Sequence, residues 1–133
     1  MKVYFSYALA DRGLAQKIAR RLVGDGHEVF DPVVEVLPGD NWGQVIGEAL
    51  ATSEAMVVLL SPDAVKSMHV MQDVQFALGS PSYEGRVIPV LIEPTDGVPW
   101  FLDKLQKVDL RSTTDPASKV AKALQRAVRR AHV

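Results

Sequence analysis

Cysteine is absent from the 133 residues. That excludes a disulfide framework, a thiol nucleophile, an iron–sulfur site and a Cys-ligated zinc. Long apolar runs are missing too. The longest, around Ala55–Leu60, is far too short to span a bilayer. The N-terminal Met1-Lys2-Val3-Tyr4-Phe5 lacks the apolar stretch of a signal peptide. Neither sign of charge dominates: 15 Lys+Arg stand against 16 Asp+Glu, for a formal net charge of −1. Global electrostatics therefore make no case for nucleic acid or an anionic membrane as partner. What remains is ordinary globular composition, 47% apolar and 23% charged, where a disordered chain would be more polar and more lopsided in charge. The length suits one domain, residues 1–133, expected in the cytoplasm.

Strand and helix patterns alternate along the chain. Val3–Ser6 is a short β-prone run. Asp11–Gly24 then spaces Leu14, Ile18 and Leu22 four apart, which predicts a helix with one apolar face, Asp11 as its cap and Gly24 as its stop. His27–Phe30 is a second strand. Asp31–Asp40, with two Pro and a Gly, reads as a loop. Asn41–Thr52 is a second helix facing inward through Trp42, Val45, Ile46, Ala49 and Leu50. The continuous apolar run Ala55–Leu60 is what a central parallel strand buried on both faces requires. Ser67 caps a helix to about Leu78. Val87–Ile92 is a fourth strand, and Pro89 within it predicts a position near an edge or a bulge. Thr95–Leu105 reads as loop with one helical turn, Val108–Leu110 as a fifth strand, and Asp115–Ala131 as a last helix with Val120, Leu124, Ala127 and Val128 facing in.

Five βα units with connections too long for hairpins imply an α/β fold: a parallel sheet with helices on both faces. Five strands in this length suggest a flavodoxin-like three-layer αβα arrangement, order 2-1-3-4-5, with its crevice at the carboxyl ends of strands 1 and 3. Those ends are Ser6-Tyr7 and Ser61-Pro62. Several uses of such a crevice are excluded by what stands there. Ser6-Tyr7-Ala8-Leu9-Ala10-Asp11 contains neither a dinucleotide glycine fingerprint nor a P-loop. Phosphorelay chemistry needs acidic residues where Ser6 and Ser61 stand. Gly-x-Ser-x-Gly does not occur. His27, His69 and His132 have no metal-site spacing, so no metal is expected.

The motifs, in order, resemble a family. Val3-Tyr4-Phe5-Ser6-Tyr7 followed by Asp11 is similar to the first box of TIR (Toll/interleukin-1 receptor/resistance protein) domains. Gly26–Asp31 resembles the family's second strand, and Leu37-Pro38-Gly39-Asp40 with Trp42 resembles its BB loop. Ala55–Leu60 with Ser61-Pro62 and Ser67 resembles its third strand and exit, and Val87–Val90 its fourth strand. The resemblance runs from Val3 to the last helix and is to the bacterial type. It implies one of two functions. Some members cleave NAD as a substrate rather than hold it as a cofactor, releasing nicotinamide and leaving ADP-ribose or a cyclic variant, and certain bacterial members do so in antiphage defence. Others are innate-immune scaffolds that signal through TIR–TIR contacts. The enzymes carry a Glu after the third strand, usually as Trp-x-x-x-Glu. The matching stretch is His69-Val70-Met71-Gln72-Asp73, so both marker positions differ.

Asp73 is thereby the candidate catalytic carboxylate, with the charge of Glu on a side chain shorter by about 1.5 Å. His69 lies four residues earlier on the same helix face. It either positions Asp73 or forms a plain surface pair with it. The resemblance puts nucleotide contacts at Ser6, Tyr7 and Ala8; the plainer alternative is that Ser6 ends a strand and Tyr7 packs. Asp11 is a helix cap or a ligand contact, and Trp42 a core anchor or a base-stacking platform. Trp100 either covers the crevice or packs, and Glu48 is a rival carboxylate or an exposed helix charge. Val33, Val34, Val36 and Leu37, with Pro38 and Gly39, make the loop unusually aliphatic, which marks it for self-association or for packing on the sheet edge. Lys119, Lys122, Arg126, Arg129 and Arg130 are read as complements to a helix C-terminus, without nucleic acid.

The leading expectation is an NAD-cleaving TIR effector activated by self-association, its partners NAD and copies of itself or other TIR domains, with neither nucleic acid nor membrane. The alternative is a non-enzymatic scaffold. A nucleoside deoxyribosyltransferase-like enzyme shares the fold, but Met68–Gln75 lacks the Gly-rich approach it would want.

Overall fold

A computed structural model describes residues 1–130. Its order is β1 (Lys2–Ser6), α1 (Arg12–Gly24), β2 (Glu28–Phe30), α2 (Pro32–Glu35), α3 (Trp42–Thr52), β3 (Ala55–Leu60), α4 (Pro62–Lys66), α5 (Met68–Leu78), β4 (Val87–Leu91), α6 (Trp100–Asp103), β5 (Val108–Asp109) and α7 (Pro116–Arg130). Short 3-10 turns lie at Leu9–Asp11 and Pro81–Tyr83. All five strands pair in parallel in the order β2-β1-β3-β4-β5, as the sequence predicts. The predicted end of the last helix at Ala131, and His132, lie outside the described residues.

The pleat sorts the strand residues into two cores. Val3, Phe5, Val57 and Leu59 face α1 and α7, meeting Ile18, Leu22, Val120 and Leu124. Tyr4, Met56, Val58 and Leu60 face α3, α4, α5 and α6, meeting Ile46, Leu50, Val74 and Leu102. Every residue of β3 is buried, as a strand covered on both faces must be. Pro89 pairs with Val58 of β3, while β5 joins β4 only from Val90 onward. Backbone N–H groups of Ile92 and Leu110 bond to Leu60 and Leu91 carbonyls, so alternation turns Pro89's missing donor toward the side β5 has not yet reached.

The loop Asp31–Asp40 is more ordered than its composition predicts. Asp31 caps α2 by accepting from the Val33 amide at 3.0 Å. Leu37-Pro38-Gly39-Asp40 then closes a turn, with the Asp40 amide on the Leu37 carbonyl and Gly39 at φ +93°. Pro then Gly at its centre is type II turn chemistry. Asn41 caps α3 through the Gln44 amide and Ser67 caps α5 through the Val70 amide.

Candidate functional site

The sheet changes direction of winding between β1 and β3, which opens a crevice at their carboxyl ends. A cleft of about 710 Å³ lies there, over the end of β1 and between α3 and α5. That is within the range of small-molecule sites, roughly 300–1,000 Å³. Tyr4 and Ser6, two apart on β1 and so on one face, line its floor. His69, Gln72, Asp73 and Phe76 share one face of α5 and form a wall. The α3 wall is bared by Gly43 and Gly47 beside Ile46 and Leu50. A Cβ on Gly47 would meet nothing within 4 Å, so the fold itself does not demand that glycine.

Asp73 is 9% exposed. Its Oδ2 accepts from Ser6 Oγ at 3.0 Å and from Tyr4 Oη at 3.2 Å. Its Oδ1 takes no hydrogen bond from a described residue, yet it is not sealed from solvent. One oxygen is thus anchored and the other left for something in the cleft. Burial pushes the carboxyl up to about 6, and the two hydroxyls and nearby His69 only partly offset that. Asp73 therefore stays mainly ionised at neutral pH while being a costly group to bury. Burial and the facing Asp73 push the Tyr4 hydroxyl well above the usual phenol value, so Tyr4 remains a donor.

Six of the seven sequence candidates for nucleotide contact and catalysis line this cleft: Ser6, Tyr7, Ala8, Trp42, His69 and Asp73. Asp11 does not. It makes no side-chain cap to α1, and its Oδ2 instead accepts from Ser61 Oγ at 2.6 Å, tying the exits of β1 and β3 together. Tyr7 donates to buried Asp31, which pins the start of the Asp31–Asp40 loop to the cleft rim. Neither a hydrogen bond nor an ion pair joins His69 to Asp73 among the described residues. The His69 ring instead lies against Trp42, centroids 5.6 Å apart and planes tilted by 58°. Trp42 is 45% exposed, so it is a rim residue rather than the predicted core anchor. Trp100 neither covers the cleft nor packs inward: it is 70% exposed, with Lys104 Nζ 5.1 Å from its ring. Glu48 is an exposed α3 charge whose carboxylate meets Gln44.

The loop aliphatics divide. Val33 packs on the core under α1 and α7, and Val36 on the one under α3 and α5. Val34 (54% exposed) and Leu37 (60%) point outward, and Pro38 and Gly39 are exposed beside them. Sequence reasoning missed Tyr4 and the α3 glycines. The signal for Tyr4 was present, since alternation from Ser6 puts it on the same face. Among the described residues no cluster of three His, Cys, Asp or Glu could hold a metal, and no helix is long and apolar enough to cross a membrane.

Comparison with solved structures agrees with this geometry. The chain is similar to the TIR domain of the Toll-related receptor TRR-2 from Hydra magnipapillata, at 25% identity and a TM-score of 0.74, over 97% of this chain and 95% of that one. It shares its fold with the TIR domains of the activated Roq1 resistosome, which directly recognises the pathogen effector XopQ (17% identity, TM-score 0.66, 98% of each chain). A prokaryotic SEFIR domain is similar in fold as well (15% identity, TM-score 0.66, 96% of this chain and 91% of that one). Comparison with curated protein sequences returns no match. The sequence model of the TIR domain, however, matches residues 3–131, and with it the chain belongs to the TIR-domain family.

Proposed function

We propose that this TIR domain cleaves the bond between nicotinamide and ribose in NAD, with Asp73 as its essential carboxylate. One observation carries the reading. Asp73 is a buried, predominantly ionised carboxylate on the wall of an open cleft, one oxygen held by Tyr4 and Ser6 and the other unpartnered. A scaffold has no use for such a group, because burying it weakens the fold.

The chemistry follows from the charge. In NAD the nicotinamide nitrogen is cationic, so it leaves without a proton, taking the electrons of the C–N bond and becoming neutral. Positive charge grows on the ribose carbon and ring oxygen. The Asp73 carboxylate stabilises that charge, and its free oxygen can hold a ribose hydroxyl. Water then adds to the ribose carbon and loses a proton, giving ADP-ribose; attack by a group of the same molecule gives a cyclic product. Tyr4 and Ser6 fix the carboxylate by donating to its other oxygen. That anchoring holds in place a side chain one methylene shorter than Glu.

The test is nicotinamide release from NAD by protein clustered on beads, comparing wild type with Asp73→Ala. Release that the substitution abolishes is expected. No release from clustered wild type would sink the enzyme reading and leave assembly as the function. The outward Val34 and Leu37 favour that second reading, since two exposed aliphatics on an ordered, capped loop form a contact surface.

A further inference from the structure

A second cavity lies outside the cleft. It is a groove of about 430 Å³ between α1 and α2, over β2 at the outer edge of the sheet. That volume is again within the range of small-molecule sites. Ala19 and Val23 of α1, Val29 of β2 and Val34 of α2 give it an apolar lining. Val23 is 57% exposed and Val34 54%, so neither is packed into the core. Exposed apolar side chains scattered singly are ordinary. Two that line one groove beside a buried acid are not.

The acid is Asp31, 7% exposed. Its Oδ1 accepts from Tyr7 Oη and from the Val33 amide. Those bonds cap α2 and pin the loop, and they use one oxygen only. Oδ2 takes no hydrogen bond from a described residue, yet it is not sealed from solvent. Asp31 lines the groove and does not line the cleft, so its open oxygen faces the groove. A carboxylate buried this far with an unfilled oxygen weakens the fold unless a donor meets it. Water can reach that oxygen, but water does not cover Val23 and Val34. A ligand that satisfies the whole groove carries both a positive charge and an apolar body.

The surrounding charges agree. Glu35, one turn after Asp31, also lines the groove, and among the described residues its carboxylate has no cationic partner. Arg20 of α1 is the one cation among the lining residues, and it bonds neither acid. Two acids against one cation leave the groove anionic. A single open oxygen suits the point charge of an ammonium better than a guanidinium fork, which engages two.

We infer that the groove between α1 and α2 is a binding site for a small organic ammonium ion, whose charge meets Asp31 and whose apolar body covers Val23 and Val34. The ligand sits at the root of the Asp31–Asp40 loop, across the carboxylate from Tyr7 and the cleft. The site does not depend on the NAD reading.

Amide NMR of the protein titrated with phenethylammonium chloride tests it, at about 0.15 M salt so that charge effects beyond about 8 Å are screened. Saturable shifts are expected at Ala19, Val23, Val29 and Val34, and not at Ser6 or His69 of the cleft. Phenethyl alcohol, of the same shape without the charge, should bind at least about tenfold more weakly, as the loss of a charge-assisted hydrogen bond requires. Asp31→Asn should weaken the amine by a similar factor. Because Asp31 also caps α2 and holds Tyr7, a second variant leaves it in place: Val34→Lys puts a tethered ammonium in the groove and should abolish the titration. Arg20→Ala should tighten binding, since it removes a like charge. No saturable shift in wild type, equal binding of the alcohol, or full binding by Val34→Lys overturns the site. So does binding that appears only in Arg20→Ala, which would mean that Arg20 itself fills the groove. Sedimentation supplies the last check: an amine that lowers the apparent mass of the protein would assign the groove to a contact between copies and overturn the site as well.

Discussion

The two faces of the sheet are built from the same strands and arrive at opposite ends. Under α1 and α7, Ile18, Leu22, Val120 and Leu124 close completely over Val3, Phe5, Val57 and Leu59. Under α3 and α5 the packing parts, and the gap is lined by Tyr4, Ser6, two glycines and a buried acid. The helices over the closed face, α1 and α7, carry exposed charges of one sign only. The open face takes the Asp73 carboxylate into the wall of a cleft. A layered α/β domain can therefore spend stability on a single side of its sheet and recover it on the other.

The largest expected effect would break the comparison at its centre. Asp73→Asn should lower nicotinamide release by about 10²–10³-fold, the usual loss when one preorganised electrostatic group is removed. An unchanged rate would make the two faces functionally alike. Next, Ile18→Ala on the closed face should cost about 3 kcal/mol in urea unfolding, and Ile46→Ala, which already borders the cleft, clearly less. Equal losses would mean that the cleft side is as tightly packed as its opposite.

The same Asp73→Asn should stabilise the protein by up to about 3 kcal/mol at pH 8, because the folded carboxyl titrates near 6 and the unfolded one near 3.8. The folded state holds its proton more tightly, so ionised Asp73 weakens the fold. That weakening is absent below the unfolded pKa, grows from about pH 4 to 6, and is complete above. The variant should therefore match wild type near pH 3.5 and surpass it at pH 8. Activity should run the other way, falling as pH drops through about 6. Last, Gly47→Ala should add about 1 kcal/mol of stability, as Ala for Gly inside a helix does where nothing obstructs the Cβ. It should also raise KM for NAD, since the methyl enters the cleft.

Much of the scaffold was legible. The apolar run Ala55–Leu60, the four-residue spacing of Leu14, Ile18 and Leu22, and the caps Asn41 and Ser67 act locally, within a strand or a turn of helix. Short-range pattern and capping chemistry suffice to read them. Asp11 shows where that reading stops. By spacing it is a helix cap, but Ser61, 50 residues away, takes its carboxylate. His69 and Asp73 are matched in spacing too, yet Trp42 claims the imidazole, and β1 supplies the acid's partners from 67 and 69 residues away.

The sequence by itself determined the five strands, the long helices, their alternation and the parallel order of the sheet, though not the short helices α2 and α4, because hydrophobic period and connection length act through neighbours along the chain. It also set the charge of each helix. Only the tertiary structure decided that Asp73 is buried and half-anchored, that α1 and α7 merge into one basic face, and that α3 and α5 stand apart. Burial and desolvation depend on what other segments bring to the same place, and no local pattern records that.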